Sequence, residues 1–220
     1  MSGEESDEDT YPNGIFLEPA FRHMHLNAVS EDGTEYPIAQ IVRLEDLKPS
    51  GIKRQAREFC YFAATLSCDK ERALLRKKFP KKLKFPNNRP SCMTDWCVFC
   101  LGSKLCSKIY NGRYEEPSEE IEGHQPLLSI VVHFNPYRAF LVLKLLHKWF
   151  LTIGMEEALG SWIYSVLACI KKPLDERSKE LLETLYNDCV QHLKNCDEQE
   201  IRRLRLIIAV LESYFDVNSN

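Results

Sequence analysis

Four cysteines crowded into one short stretch, Cys92, Cys97, Cys100 and Cys106, come nearest to a chemical site by type and spacing. Four thiolates suffice for tetrahedral zinc, and a Cys-x-x-Cys pair such as Cys97 and Cys100 is also the spacing of redox dithiols. Structural zinc modules, however, separate two close pairs by a loop. Here single cysteines stand five positions before and six after the central pair. Reduced thiols packed beside Trp96 and Phe99 are therefore the expectation, with neither metal nor cofactor. The six histidines (23, 25, 124, 133, 147 and 192) form no His-Glu-x-x-His pattern, and no glycine-rich phosphate loop or nucleophile elbow occurs. Adjacent acids such as Glu119-Glu120 and Glu156-Glu157 read as solvated surface, so no catalytic residue is expected and the chain is not read as an enzyme.

Two further stretches suit binding. Arg76, Lys77, Lys78, Lys81, Lys82 and Lys84 interleave with Phe79 and Phe85. That pattern fits a grip on single-stranded nucleic acid, a nuclear-import signal, or a plain solvated charge run. In 36–42, Ile38 and Val42 alternate with Ala39 and Ile41 to give a strand without a sheet. It can add to the edge of a partner's sheet or lie as a loop on its own bundle.

The elements that must position these residues follow from composition and periodicity. At 44% hydrophobic, 28% charged and a net charge of -3, the chain is of soluble globular type and makes no global case for polyanion binding. Nine cysteines, an odd count, follow an N-terminus, MSGEESDEDT, that lacks the apolar core of a signal peptide. Reduced thiols in cytosol or nucleus are expected. The longest strongly apolar run, 162–170, falls far short of the roughly 20 residues a bilayer needs.

The expected architecture is all-α: a C-terminal helical bundle, 125–216, preceded by an extended, partly disordered arm, 1–51, carrying a short helix and a short strand. The arm begins with Glu4, Glu5, Asp7, Glu8 and Asp9, then gives a weak helix over 20–29 and the strand over 37–42. A basic amphipathic helix and linker, 52–90, has a narrow seam of Ile52, Ala56, Phe59, Ala63 and Leu66, then Ala73 and Leu74, which wants a partner surface. A cysteine- and tryptophan-rich island, 91–106, packs on the bundle, and 107–124 is an acidic linker. In the bundle, Pro126 starts a short helix through Val132, and Asn135-Pro136 caps a helix running to Leu151. The helix over 155–171 is apolar on nearly every face and must be central. Asp175 caps the next helix, and Asp197 with Glu200 forms a capping-box pattern for the last.

Four strings, WCVFCLGSKLC at 96–106, PLLSIV at 126–131, LGSWIYSVLACIKKPL at 159–174 and SYFD at 213–216, together resemble one family. It is the Gemin-two family, the survival-of-motor-neuron interacting proteins. A looser similarity covers 20–55, where AFRHMHLNAV, AQI and Lys53-Arg54 resemble the family's N-terminal helix, strand and basic stretch. The resemblance implies an assembly chaperone of spliceosomal snRNP cores. It holds Sm proteins and a helical segment of the survival-of-motor-neuron protein, touches snRNA only indirectly and no membrane, and works in the cytoplasm and in nuclear gems. It also implies that Phe21, Met24, His25 and Leu26 lie on one Sm partner, and Ile38, Ala39, Gln40, Ile41 and Val42 along a sheet edge. The acids Glu4, Glu5, Asp7, Glu8 and Asp9 would fill the basic RNA hole of the Sm ring. The partner helix should sit on surplus apolar residues of the outer helices, with Leu128, Val132, Trp149 and Leu211 as candidates. The rival reading is a helical RNA-binding or zinc-dependent adaptor using 76–89 and the cysteine cluster 92–106.

Overall fold

The computed structural model describes residues 49–217, apart from 112, 115, 116 and 195. The arm's helix, its strand and the acidic tail lie outside the described residues. Within them the chain is all-α, with eight α-helices and no strand. In order these are α1 (Pro49–Ser67), α2 (Asp69–Lys78), α3 (Met93–Tyr110), α4 (Leu128–Val131), α5 (Pro136–Ile153), α6 (Glu157–Leu167), α7 (Glu176–His192) and α8 (Glu198–Phe215).

The centre is α6. Every residue from Trp162 to Ile170 is buried, and the helix packs against α3, α5 and α8. A helix with no polar face has no other stable place in water. Gly160 lets α8 come close: a Cβ there would stand 3.2 Å from the Arg203 side chain. Around this centre α7 bridges α5 and α8, and α1 lies on the far side of α8.

Helix ends follow local chemistry. Asn135 accepts from the Arg138 N–H at 2.7 Å with Pro136 in the first turn, Asp175 accepts from Ser178 at 2.7 Å, and Asp197 accepts from Glu200 at 2.8 Å. The reciprocal half of the expected capping box does not form. The Glu200 carboxylate instead accepts from the Met155 N–H and pairs with His192 Nε2 at 3.1 Å, tying the start of α8 to the ends of α5 and α7.

Two expectations are corrected. The helical periodicity over 52–79 belongs to two helices, because Cys68 is extended (φ -76°, ψ 114°) and resets the phase. Ala56, Phe59, Ala63 and Leu66 are buried as the seam requires, but Leu74 is 58% exposed and Ala73 is exposed, while Arg72 and Leu75 turn inward. The seam also finds its partner inside the chain. Phe59 meets Tyr214 and Phe215 of α8 and Tyr164 of α6, with ring centroids 5.5, 6.4 and 5.1 Å away. One contiguous core therefore runs from Phe59 to Val217.

Candidate functional site

One surface groove is built on an interrupted helix. Gly102 sits inside α3 at φ 82°, ψ 171°, and the chain returns to that break after a long excursion. The Ser103 N–H donates to Ile121 O at 2.8 Å, the Ile121 N–H donates to Ser103 Oγ at 3.0 Å, and the His124 N–H donates to Phe99 O at 2.8 Å. Trp162 of α6 fixes the same strap by donating Nε1–H to His124 O at 2.8 Å. Two glycines make this approach possible. A Cβ on Gly102 would stand 2.7 Å from Ile121 O, and one on Gly123 would stand 2.6 Å from Gly102 N, distances that bonded backbone cannot accommodate.

Between the strap, α3 and the start of α6 lies an open groove of about 450 Å³. Leu101, Pro126, Ala158 and Trp162 form its floor, with Leu105 and the 46%-exposed Ile121 at its lip. Glu120, Glu122, Glu156 and Glu157 line its rim with Lys104, and Lys108 pairs with Glu156 at 3.7 Å. An apolar slot with a mainly acidic rim suits the apolar anchors and basic flank of an amphipathic helix. A second hollow of about 420 Å³ lies between Tyr137 and Phe140 of α5, Ile170, Pro173 and Arg177.

The cysteine cluster is packed into the core beside the groove. Cys97, Cys100 and Cys106 are buried and Cys92 is partly buried, all as free thiols. Burial first, then the neighbouring thiols, pushes Cys97 up strongly; burial alone does so for Cys100. Elsewhere Cys169 is pushed up to about 12 by burial, against the opposing pull of Arg72 and Arg76. Thiols so far above neutral pH are poor thiolate donors and weak nucleophiles. Among the described residues no group of three or more His, Cys, Asp or Glu side chains is arranged to hold a metal, and no helix is long and apolar enough to cross a membrane.

The basic stretch is pinned from below. Arg72 is 4% exposed and donates to Val132 O, Leu66 O and Phe134 O, and Arg76 Nε donates to Val132 O at 3.0 Å. His133 Nε2–H donates to Phe79 O at 2.8 Å and Trp96 Nε1–H to Asn87 O at 3.1 Å. Phe85 is buried among Trp96, Phe99 and Phe134, and the Arg138 guanidinium lies 4.8 Å above its ring. Burial, reinforced by the charges of Arg76, Lys81 and Arg72, holds the His133 imidazole below its ordinary pKa despite its bond to Phe79 O.

The four residues named for the partner helix are not surplus. Leu128, Val132, Trp149 and Leu211 are 4, 0, 1 and 0% exposed, on α4 and its C-cap, α5 and α8 of the one core. Each stripe they come from is consumed by the chain's own packing, so none offers a surface. Among the described residues the large apolar side chains that do face solvent are Tyr61, Leu74, Ile121, Tyr137 and Leu151. Of these, Ile121 lies in the stretch read as a linker, where Gly102 inside a helical run and Gly123 after the acids were the signals of a close backbone approach. The residues 21–26, 38–42 and 4–9 fall outside the described set.

A family model described as survival motor neuron (SMN) interacting protein 1 (SIP1) matches residues 27–218. Gem-associated protein 2 of Mus musculus is 34% identical over 128 residues, covering 55% of this chain and 48% of that protein. The Xenopus laevis protein of the same name is 31% identical over 129 residues, covering 55% and 50%, and that of Drosophila melanogaster 28% over 121 residues, covering 48% and 49%. The chain thus spans about half the length of the curated relatives it matches. Since the family match runs without a break from inside the arm, through the strap and its groove, to the residue after the last buried position of the core, the chain belongs to the survival motor neuron interacting protein 1 family.

Proposed function

We propose that the chain is a non-enzymatic scaffold of the SMN complex, serving assembly of spliceosomal snRNP cores in cytoplasm and nucleus. The helical body takes a helix of the survival-of-motor-neuron protein in the groove at the α3 break, and the arm takes Sm proteins. The observation that carries this reading is the family match over 27–218, which includes every element that builds the groove. The groove's character supports it: apolar anchors at Leu105 and Ile121 above a floor of Leu101 and Trp162, with carboxylates to meet a basic flank. On this reading Phe21, Met24, His25 and Leu26 rest on one Sm protein, the stretch Ile38 to Val42 runs along a sheet edge, and Glu4, Glu5, Asp7, Glu8 and Asp9 occupy the RNA hole of the ring.

The test is co-purification of the full chain with a fragment of the survival-of-motor-neuron protein and with Sm proteins. The double variant Leu105→Glu with Ile121→Glu should lose the fragment and keep the Sm proteins; Ile38→Asp with Val42→Asp should do the reverse. Retention of the fragment by the groove variant would move its site elsewhere, and failure of the unmodified chain to retain either partner would defeat the reading.

A further inference from the structure

Lys77, Lys78, Lys81, Lys82, Lys84 and Arg89 are exposed, and none has a carboxylate partner among the described residues. No acid interrupts the sequence between Glu71 and Asp95. Unpaired surface lysines are ordinary when scattered; these six share one short segment whose path is fixed. The 79–89 segment has no helix of its own, yet His133 holds it at Phe79, the aromatic core at Phe85 and Trp96 at Asn87. Its cations are therefore presented as a standing array, and a polyanion that meets them incurs little ordering cost on the protein side.

Two classes of polyanion fit a cationic face. Single-stranded nucleic acid takes much of its affinity from bases stacked on exposed aromatic rings. The rings here are occupied: Phe85 is 8% exposed and lies under Lys81 and Arg138, and Phe79 is partly buried with Lys78 at 5.4 Å. Five of the six cations are lysines, point charges without the bidentate fork that favours phosphate. A run of carboxylates needs neither rings nor forks. The chain carries one: residues 4–18 hold six acids (Glu4, Glu5, Asp7, Glu8, Asp9 and Glu18) and no base.

We propose that the cationic face formed by the end of α2 and the 79–89 segment is a docking site for the chain's own acidic residues 4–18. Reach is sufficient. Glu18 precedes Pro49 by 31 residues, a tether of up to about 100 Å, whereas α1, with 19 residues, spans only about 28 Å. A tether of this kind gives an effective concentration on the order of millimolar, so a weak electrostatic contact is populated in cis. In the chain free of Sm proteins the docked acids act as an internal counterion that an external polyanion must displace, and the contact weakens steeply with salt; engagement of an Sm ring would draw the same acids off the face. Which partners occupy the groove does not enter this inference.

Two measurements on the full chain test it. In the first, zero-length carbodiimide cross-linking at 50 mM salt is mapped by mass spectrometry. Cross-links from acids in 4–18 to Lys77, Lys78, Lys81, Lys82 or Lys84 should form, persist on tenfold dilution and vanish in 0.5 M salt. In the second, affinity for a fluorescent 20-nucleotide oligouridylate is measured. Replacing the six acids by Asn or Gln should raise affinity at least tenfold, and adding Lys77→Glu, Lys81→Glu, Lys82→Glu and Lys84→Glu should abolish the gain. The lysines are exposed, so these changes leave the core intact. Cross-links that go to other lysines or disappear on dilution overturn the contact in cis. Equal oligouridylate affinity with and without the acids, dependent on the same lysines, makes the face an RNA site and overturns the proposal equally.

Discussion

The acid-rimmed groove and the basic face both depart from helix, and they are held in different ways. At the groove the break in α3 is closed by two backbone–backbone bonds, backed by Ser103 Oγ and Trp162 Nε1, across Gly102 and Gly123 with no room for a single Cβ. At the basic face the irregular segment is held by side chains, His133 at Phe79 O and Trp96 at Asn87 O, while Arg72 and Arg76 fasten α2 beside it to Val132 O and Phe134 O. The first fastening is tight and local; the second is distributed. It follows that the groove should fail through one substitution, whereas the face should lose its charge pattern long before its shape.

The largest expected effect lies beneath the groove. Trp162→Ala removes a fully buried ring and leaves His124 O without its donor, and should cost about 4 kcal/mol in chemical denaturation. Gly102→Ala should cost about 3 kcal/mol, since the residue combines positive φ with a 2.7 Å approach to backbone; a cost under about 1 kcal/mol would mean the strap yields, and the contrast drawn above would go with it. Leu105→Glu should leave the denaturation midpoint nearly unchanged and weaken binding of the partner helix roughly tenfold by titration. Outside both regions, Asn135→Ala removes the cap on α5 and should cost about 1 kcal/mol, giving the scale of an ordinary local fastening.

The smallest effect concerns the basic face. His133 is held below its ordinary pKa mainly by burial, so the unfolded chain binds that proton more tightly than the folded one. Its contribution to stability is therefore full above the ordinary histidine range and is lost as pH falls from there towards the lower folded value. A His133→Gln variant should flatten that part of the stability profile relative to the unmodified chain, and Lys81→Glu, which removes one of the opposing charges, should make the loss shallower.

How much of this was legible in the sequence depended on range. Caps are one-turn events, and Asn135, Asp175 and Asp197 could be read as helix starts from their own neighbourhoods. The strongly apolar stretch from Trp162 to Ile170 announced its central place, because no surface position would tolerate it. The break at Cys68 was illegible: the apolar spacing continues through Ala73 and Leu74, and only tertiary bonds to Val132 and Phe134 draw Arg72 inward instead. The strap was illegible for a related reason, since Ser103 and Ile121 are 18 positions apart and their pairing leaves only two glycines as a trace. Leu128, Val132, Trp149 and Leu211 show the remaining limit. An apolar residue on a helix stripe has the same type whether it faces the core or a partner, and only the packed chain tells them apart.

The pairing of α1 with α8 has a consequence for biosynthesis. The Phe59, Ala63 and Leu66 seam is complete early, but its cover, Tyr214 and Phe215, is among the last residues described. At roughly 5 to 20 residues per second, a nascent chain carries that apolar seam uncovered for something like 10 to 30 s. During that interval α1 is a target for holdase chaperones and for other nascent copies, and a ribosome that stalls before α8 releases a product in which α1 lacks the cover of Tyr214 and Phe215.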